Sequence, residues 1–124
     1  MVILDTCALI ELGLLKPALS LPTLKLIEAE AILLSVSFAE IALKIKQKKL
    51  ILNLSAREFY RHYAEIPSLS ILKIGCEEWF EAIDLEWNHK DPADRLIVAY
   101  ARKTGSPIVT TDKQIKQFYK NTIW

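Results

Sequence analysis

Three short stretches of this chain are apolar at nearly every consecutive position, and they constrain its fold more than any other feature. Val2-Ile3-Leu4, Ala31 to Val36 (AILLSV) and Pro107 to Thr111 (PIVTT) lack the in–out alternation of a half-exposed strand. A strand without alternation is covered on both faces, as in parallel sheets held between helical layers. Helical spacing fills the intervals. Thr6 to Leu15 predicts a helix, and Pro22 to Ala29 a second one, with proline at its first position. A third covers Phe38 to Lys46, and Ser55 opens a fourth in which Phe59, Tyr60 and Tyr63 share helical spacing. Leu69 to Ile74 predicts a further strand and Glu77 to Asp84 a short helix. Asp91-Pro92 starts a strongly apolar helix that ends near Thr104-Gly105; Asp112 begins a last long one.

Strands alternating with helices imply βαβ crossovers and a parallel sheet. The 124 residues suit one α/β domain, spanning 1–124, with a central parallel β-sheet flanked by α-helices. Hydrophobic residues make up 52% and charged residues 25%, with 3 Gly and 5 Pro, which excludes a disordered or collagen-like chain. A mean hydropathy of +0.20 suggests apolar surface covered by a partner. The formal charge of +1 neither requires nor excludes nucleic acid. Cys7 and Cys76 follow no metal-binding spacing and suggest no disulfide, so a reduced, cytoplasmic setting is expected. No apolar run approaches the roughly 20 residues of a membrane span. The N-terminal MVILDTCALIELGLL has no basic start and contains Asp5 and Glu11, so it does not read as a signal peptide.

Ligand sites of open α/β sheets lie beyond the carboxyl ends of the strands. Four acids are expected there: Asp5 directly after the first strand, Glu40 in the first turn of the helix after AILLSV, Asp94 in the first turn after Pro92, and Asp112 after PIVTT. Each has two readings. Ser37-x-x-Glu40 has the spacing of a capping box, and Glu40 could pair with Lys44. Asp91 is a natural N-cap, Asp94 then sits at N3, and Asp112 could cap the last helix. Asp5 has the least structural excuse. Taken together, the acids point to chemistry, because clustered carboxylates repel by about 1 kcal/mol per pair at ~4 Å even in water. Oxygen donors without nearby His or Cys suit Mg²⁺ or Mn²⁺, one ion or two, and phosphodiester hydrolysis is the reaction that uses such a set most naturally. A receiver-type phosphoacceptor would need adjacent acids after the first strand, and a D-x-D-x-T phosphotransferase a second Asp; Asp5 is followed by Thr6-Cys7.

The sequence resembles PIN domains, and among them the VapC toxins of type II toxin–antitoxin systems. The resemblance rests on Asp5-Thr6 with Ala8-Leu9, then on Ser35-x-Ser37-x-x-Glu40-Ile41-Ala42-x-Lys44. It continues through His89-Lys90-Asp91-Pro92-x-Asp94-Arg95-Leu96-Ile97-x-Ala99-x-Ala101 to Val109-Thr110-x-Asp112, in the family's order. It implies a PIN-like fold and a Mg²⁺- or Mn²⁺-dependent ribonuclease acting on RNA, paired with a cognate antitoxin and commonly a homodimer. Carried over by position, Asp5, Glu40, Asp94 and Asp112 are the catalytic acids. Asp5, Asp94 and Asp112 hold metal, Glu40 orients water or a second ion, and Thr110 and Thr6 support by hydrogen bonding. Asp91 is left to capping. One departure is visible: many relatives carry Gly before the basic residue and Leu where this chain has Lys48-Lys49-Leu50, which bears on a turn and not on the acids.

Lys44, Lys46, Lys48 and Lys49 form the densest basic run. They either hold RNA phosphates or complement a helix C-terminus. Arg95 either contacts phosphate or makes an internal ion pair, and His62 and His89 are expected on the surface or in caps. Phe59, Tyr60 and Tyr63 are expected in the core, with a groove for an antitoxin helix as the other reading. Leu9, Ile10, Leu12, Leu14 and Leu15 exceed what one helix face needs and mark a further candidate interface. The rival to the nuclease is a non-enzymatic PIN-like interaction module whose acids only cap helices.

Overall fold

In the computed structural model, which describes residues 1–14 and 16–124, the apolar runs pair into one parallel sheet. Its strands are β1 (Val2–Leu4), β2 (Ala31–Leu34), β3 (Leu69–Leu72), β4 (Ile108–Val109) and β5 (Thr122–Ile123), in the order β3-β2-β1-β4-β5. Every pairing is parallel, with Ile3 of the central strand opposite Ile32 on one side and Ile108 on the other. The helices among the described residues are α1 (Thr6–Leu12), α2 (Leu21–Ala29), α3 (Ser35–Lys46), α4 (Ala56–Ala64), α5 (Cys76–Ile83), α6 (Pro92–Thr104) and α7 (Lys113–Phe118).

Both faces of the sheet are covered, which is why its strands read as unbroken apolar runs. Val2, Leu4, Ala31, Leu33 and Val109 pack with Leu9, Ile41, Phe59 and Tyr63 of α1, α3 and α4. Their neighbours Ile3, Ile32, Leu34 and Ile108 pack with Leu96, Ile97, Ala101 and Ile115 of α6 and α7. Each such Ile or Leu, fully buried, contributes roughly 1.5–3 kcal/mol. From β1 the chain steps outward to β2 and β3, then returns across the sheet to β4 and β5. The strand order therefore reverses between β1 and β4, the position where open α/β sheets hold their ligands.

Several boundaries differ from the sequence expectation. The first helix ends at Leu12 rather than Leu15, and Leu15 itself lies outside the described residues. Gly13 closes the turn, with its amide donating to Ile10 O at 3.1 Å. A Cβ there would come within 3.0 Å of Phe59 Cε2, so the glycine permits the close approach of α4. The second strand ends at Leu34 instead of Val36, because the chain enters α3 at Ser35 without a loop. The fourth strand has only two residues, Ile108 and Val109, and is not the last. The final helix is short, and β5 comes after it as an edge strand too brief to show a period.

Ser55 opens α4 with a capping box shared with Glu58. Phe59 and Tyr63 are buried as expected, whereas Tyr60 is exposed, its ring edge-on to Phe38. Cys7 and Cys76 are exposed and unpaired. No helix among the described residues is long and apolar enough to cross a membrane.

Lys48, at the position where the resemblance leads one to expect glycine, has a left-handed φ of 58°. The amides of this turn return to α3, with Lys48 N donating to Ile45 O and Lys49 N to Lys44 O. A side chain in this conformation costs about 1–2 kcal/mol, partly offset because glycine loses more backbone freedom on folding. Lys48→Gly should therefore stabilise the fold by about 0.5–1 kcal/mol in urea denaturation. An unchanged or lower midpoint would show that Lys48 is unstrained.

Candidate active site

At the switch point the ends of β1 and β4 are joined by a threonine. Asp5, only 2% exposed, leaves β1 as the N-cap of α1, and its Oδ1 accepts from Ala8 N at 2.7 Å. Its Oδ2 accepts a hydrogen bond from Oγ1 of fully buried Thr110. The same Thr110 oxygen accepts from the backbone amide of Asp112 at 3.0 Å. Asp112 caps α7, its Oδ1 accepting from Gln114 N at 2.8 Å and Ile115 N at 3.0 Å.

Glu40 reaches the same region from α3. It lies in the second turn of the helix and not the first, because α3 starts three residues earlier than the sequence suggests. For the same reason Ser37 is inside the helix rather than at its cap, and the Ser37–Glu40 capping box does not form. Instead Thr6 Oγ1 donates to Glu40 Oε1 and lies 3.0 Å from Oγ of buried Ser37. A threonine hydroxyl has one hydrogen, so Ser37 donates to Thr6 while Thr6 donates to the carboxylate. Ser37 is thus a member of the site, although its sequence context points only to capping. The S-x-x-E spacing that suggests a cap also places two residues on one helix face.

Asp94 occupies N3 of α6, where the N-cap Asp91 accepts from its amide at 3.0 Å. The Asp94 side chain takes no cap; its Oδ2 lies 2.7 Å from Nε2 of His89. Asp91 and Asp112 cap helices as their positions allow, and Asp94 sits at N3; the departures are Asp5, which caps α1, and Glu40, which joins no capping box.

Burial pushes the Asp5 carboxyl up to about 6, with Thr110 and Ala8 opposing and the charges of Asp112 and Glu40 adding to the rise. Burial likewise raises Asp94 to about 6; His89 opposes this, and Asp91 and Asp112 reinforce it. Glu40 is pushed up by burial too, Thr6 opposing, with Asp91 raising and Lys44 lowering it. Asp5 thus feels the charges of Asp112 and Glu40, and Asp94 that of Asp112. Among the described residues, the His89–Asp94 contact is the one from a basic side chain that reaches the four acids. In this side-chain arrangement no three of the described acids, histidines or cysteines converge on one point that could hold a metal. The chemistry of the donor set nonetheless fits a hard divalent cation: all oxygen, buried at Asp5 and half-buried at Glu40, Asp94 and Asp112, with no Arg or Lys ion pair to them among the described residues.

Arg95 does not make the ion pair that its position beside Asp94 invites, and its donors are engaged elsewhere. Its Nε donates to Ala82 O, Nη1 to Trp87 O and His89 O, and Nη2 to Ile83 O and Leu85 O. All five guanidinium N–H groups are thus engaged. Three of these carbonyls, on Ala82, Ile83 and Leu85, lie at or just beyond the C-terminus of α5, where the helix dipole favours a cation. Lys44 lies half-buried one turn beyond Glu40, while Lys46, Lys48 and Lys49 are exposed at the end of α3.

A family model described as PIN domain matches residues 2–121. No curated protein sequence matches this chain significantly. Among solved structures it is similar to a chain of a toxin–antitoxin complex from Klebsiella pneumoniae, with 16% identity, coverage of 100% of this chain and 97% of that chain, and a TM-score of 0.65. It is also similar to a chain in the structure of FitAB bound to an IR36 DNA fragment, at 18% identity, 100% and 94% coverage and a TM-score of 0.67. FitAcB from Neisseria gonorrhoeae matches at 16% identity, 100% and 96% coverage and a TM-score of 0.61. At these identities the likeness is one of fold.

The raised carboxyls set a pH dependence. A folded-state pKa of about 6 against the ordinary 3.8 means that the folded protein holds these protons more tightly than the unfolded chain. Stability without bound cations should therefore be greatest below the ordinary value and fall as pH rises through the interval up to about 6. Asn preserves the N-cap without the charge. Asp5→Asn should accordingly stabilise the metal-free protein by about 1–3 kcal/mol near neutral pH, the gain vanishing in acid. A loss of stability at neutral pH in thermal unfolding would refute this account of Asp5.

Proposed function

This chain belongs to the PIN domain family, and from that premise we propose that it is a Mg²⁺- or Mn²⁺-dependent endoribonuclease, the toxin of a toxin–antitoxin pair, with residues 1–124 forming the PIN domain. The observation that supports this reading is that Thr110 ties Asp5 to the backbone of Asp112 at the β1/β4 switch point, while Asp5 also feels the charge of Glu40 and Asp94 that of Asp112. Two of them, Glu40 and Asp94, have no capping role to account for them, which favours the enzyme over an interaction module.

In this reading Asp5, Asp94 and Asp112 hold the divalent ion. Bound there, the ion supplies positive charge to the phosphodiester oxygens and acidifies a water. Thr110 fixes both Asp5 and the backbone of Asp112, so the two carboxylates keep a common frame. His89 fixes the rotation of Asp94 through Oδ2. Glu40, oriented by Thr6 and Ser37, positions the attacking water and takes its proton; its raised pKa brings it closer to the working range of a base. The water oxygen forms the new P–O bond as the bond to the leaving oxygen breaks, in line and without a covalent enzyme intermediate. Lys44, Lys46, Lys48 and Lys49 extend from the site along α3 and hold the RNA backbone.

The antitoxin partner is supported by an apolar recess of about 360 Å³ lined by Gly13, Leu14, Ile51, Leu54 and Phe59, beside which Ile51 is 90% exposed. Leu21 and Leu26 of α2 and Phe80 and Ile83 of α5 leave further apolar surface, in keeping with a homodimer. Reduced Cys7 and Cys76 suit a cytoplasmic protein.

The test is incubation of the partner-free protein with a mixed pool of intact tRNA and rRNA in Mg²⁺, Mn²⁺ or EDTA. Discrete fragments should form with metal and disappear with EDTA. Asp94→Asn should lower the rate by at least about a hundredfold while leaving the circular dichroism unchanged. Mn²⁺ should raise the melting temperature of the wild type and not of Asp94→Asn. Full activity in Asp94→Asn would overturn the site. Absence of both cleavage and Mn²⁺ stabilisation would overturn the enzyme.

A further inference from the structure

Next to the acids is a recess of about 460 Å³ lined by Trp87, Asn88, Gln114, Gln117 and Phe118. We infer that it binds an unpaired base of the RNA strand whose backbone lies at the acids, an inference that rests on the proposed nuclease activity. The recess is joined to the acidic cluster on two sides. The Trp87 ring lies 4.7 Å from that of His89, whose Nε2 is 2.7 Å from Asp94 Oδ2. On the other side the amide of Gln114 donates to Asp112 Oδ1 at 2.8 Å. A nucleotide with its phosphate among the acids therefore has its base within reach of this hollow.

The lining suits a base better than a phosphate or a protein side chain. It contains no charged residue, so nothing in it compensates a phosphate. Trp87 and Phe118 stack at 4.7 Å with 13° between their planes, and the Arg102 guanidinium lies 5.6 Å from the Phe118 centroid. The rings are engaged with one another, so the column gives a prearranged apolar wall beside the carboxamides. Asn88, Gln114 and Gln117 are exposed, and each carboxamide both donates and accepts. That combination matches the edge of a base, which carries donors and acceptors side by side. A base already paired has its Watson–Crick edge occupied and its ring stacked between neighbours, so the recess selects single-stranded or flipped-out nucleotides. The volume lies within the range of about 300–1,000 Å³ usual for small-ligand sites.

The test compares short single-stranded RNA homopolymers with a matched abasic oligomer, bound in EDTA to the wild type and to Gln114→Ala/Gln117→Ala. Both positions are exposed and alanine favours the helix, so the variant keeps its fold. At least one homopolymer should bind the wild type about tenfold more tightly than the abasic strand, and the double substitution should remove most of that difference while leaving abasic binding unchanged. With Mn²⁺ the variant should show a raised KM and altered cut sites, with kcat little changed. If the variant keeps the wild-type preference, KM and cut sites while both proteins cleave RNA, the base recess is overturned and the nuclease stands. If the wild type neither binds nor cleaves RNA, both fall together.

Discussion

A single buried hydroxyl, that of Thr110, holds together the part of the molecule on which the candidate chemistry depends. It donates to Asp5 at the end of β1 and accepts from the amide of Asp112 beyond β4. Neither strand could place its acid alone. β4 has two residues, and its neighbour β5 also has two, too few for the ladder by itself to fix the position of Asp112. The crossing bond, with Asp5 N to Val109 O beside it, converts two strand ends into one rigid rim. A valine at position 110 would leave the Asp112 amide without this acceptor and an already buried carboxylate with one donor fewer, a cost of about 1–3 kcal/mol for each unsatisfied group.

The rim is assembled at the expense of stability. Asp5 and Asp94 are charged groups with carboxyls displaced upward by burial before repulsion is counted. A fold selected only to stay folded would place amides or hydroxyls here, since their hydrogen-bonding needs are met by the same neighbours. The protein instead surrounds each carboxylate with a neutral donor or a histidine: Thr110 on Asp5, Thr6 on Glu40, His89 on Asp94. These contacts hold the carboxylates in place while leaving their negative charge uncompensated by any Arg or Lys ion pair among the described residues. Supporting donors of this kind are what sites for hard cations use to orient their ligands.

How much of this is legible in the sequence depends on which interactions leave a pattern. Val2-Ile3-Leu4 and Ala31 to Leu34 are readable because covering on both faces forces every position to be apolar. The four acids are readable because they come directly after apolar runs or open apolar helices. Boundaries set by single tertiary contacts are not. Nothing local says that Gly13 must stop α1 beneath Phe59, or that Ser35 enters a helix directly from β2 while its hydroxyl accepts from Ile74 N. That last shift carries Glu40 and Ser37 out of a cap and into the site. β5 has no period to detect; it exists because β4 offers it an edge.

Arg95 shows the same limit at its clearest and explains how the second half of the site is held. An arginine beside an aspartate invites an ion pair, yet all its donors go to backbone carbonyls, which have no sequence signature. Three of those carbonyls, on Ala82, Ile83 and Leu85, lie at or just beyond the end of α5. The other two, on Trp87 and His89, belong to the turn that leads into α6. That turn delivers His89 to Asp94 and Trp87 to Phe118. The cation is therefore placed where it fixes the ring that orients one acid and the ring that walls the adjoining recess. An Arg-to-Lys exchange keeps the charge but provides three donors on a single nitrogen in place of a five-donor fork. Lysine therefore cannot span carbonyls from Ala82 to His89, and the geometry of Asp94 depends on an arginine that does not touch its carboxylate.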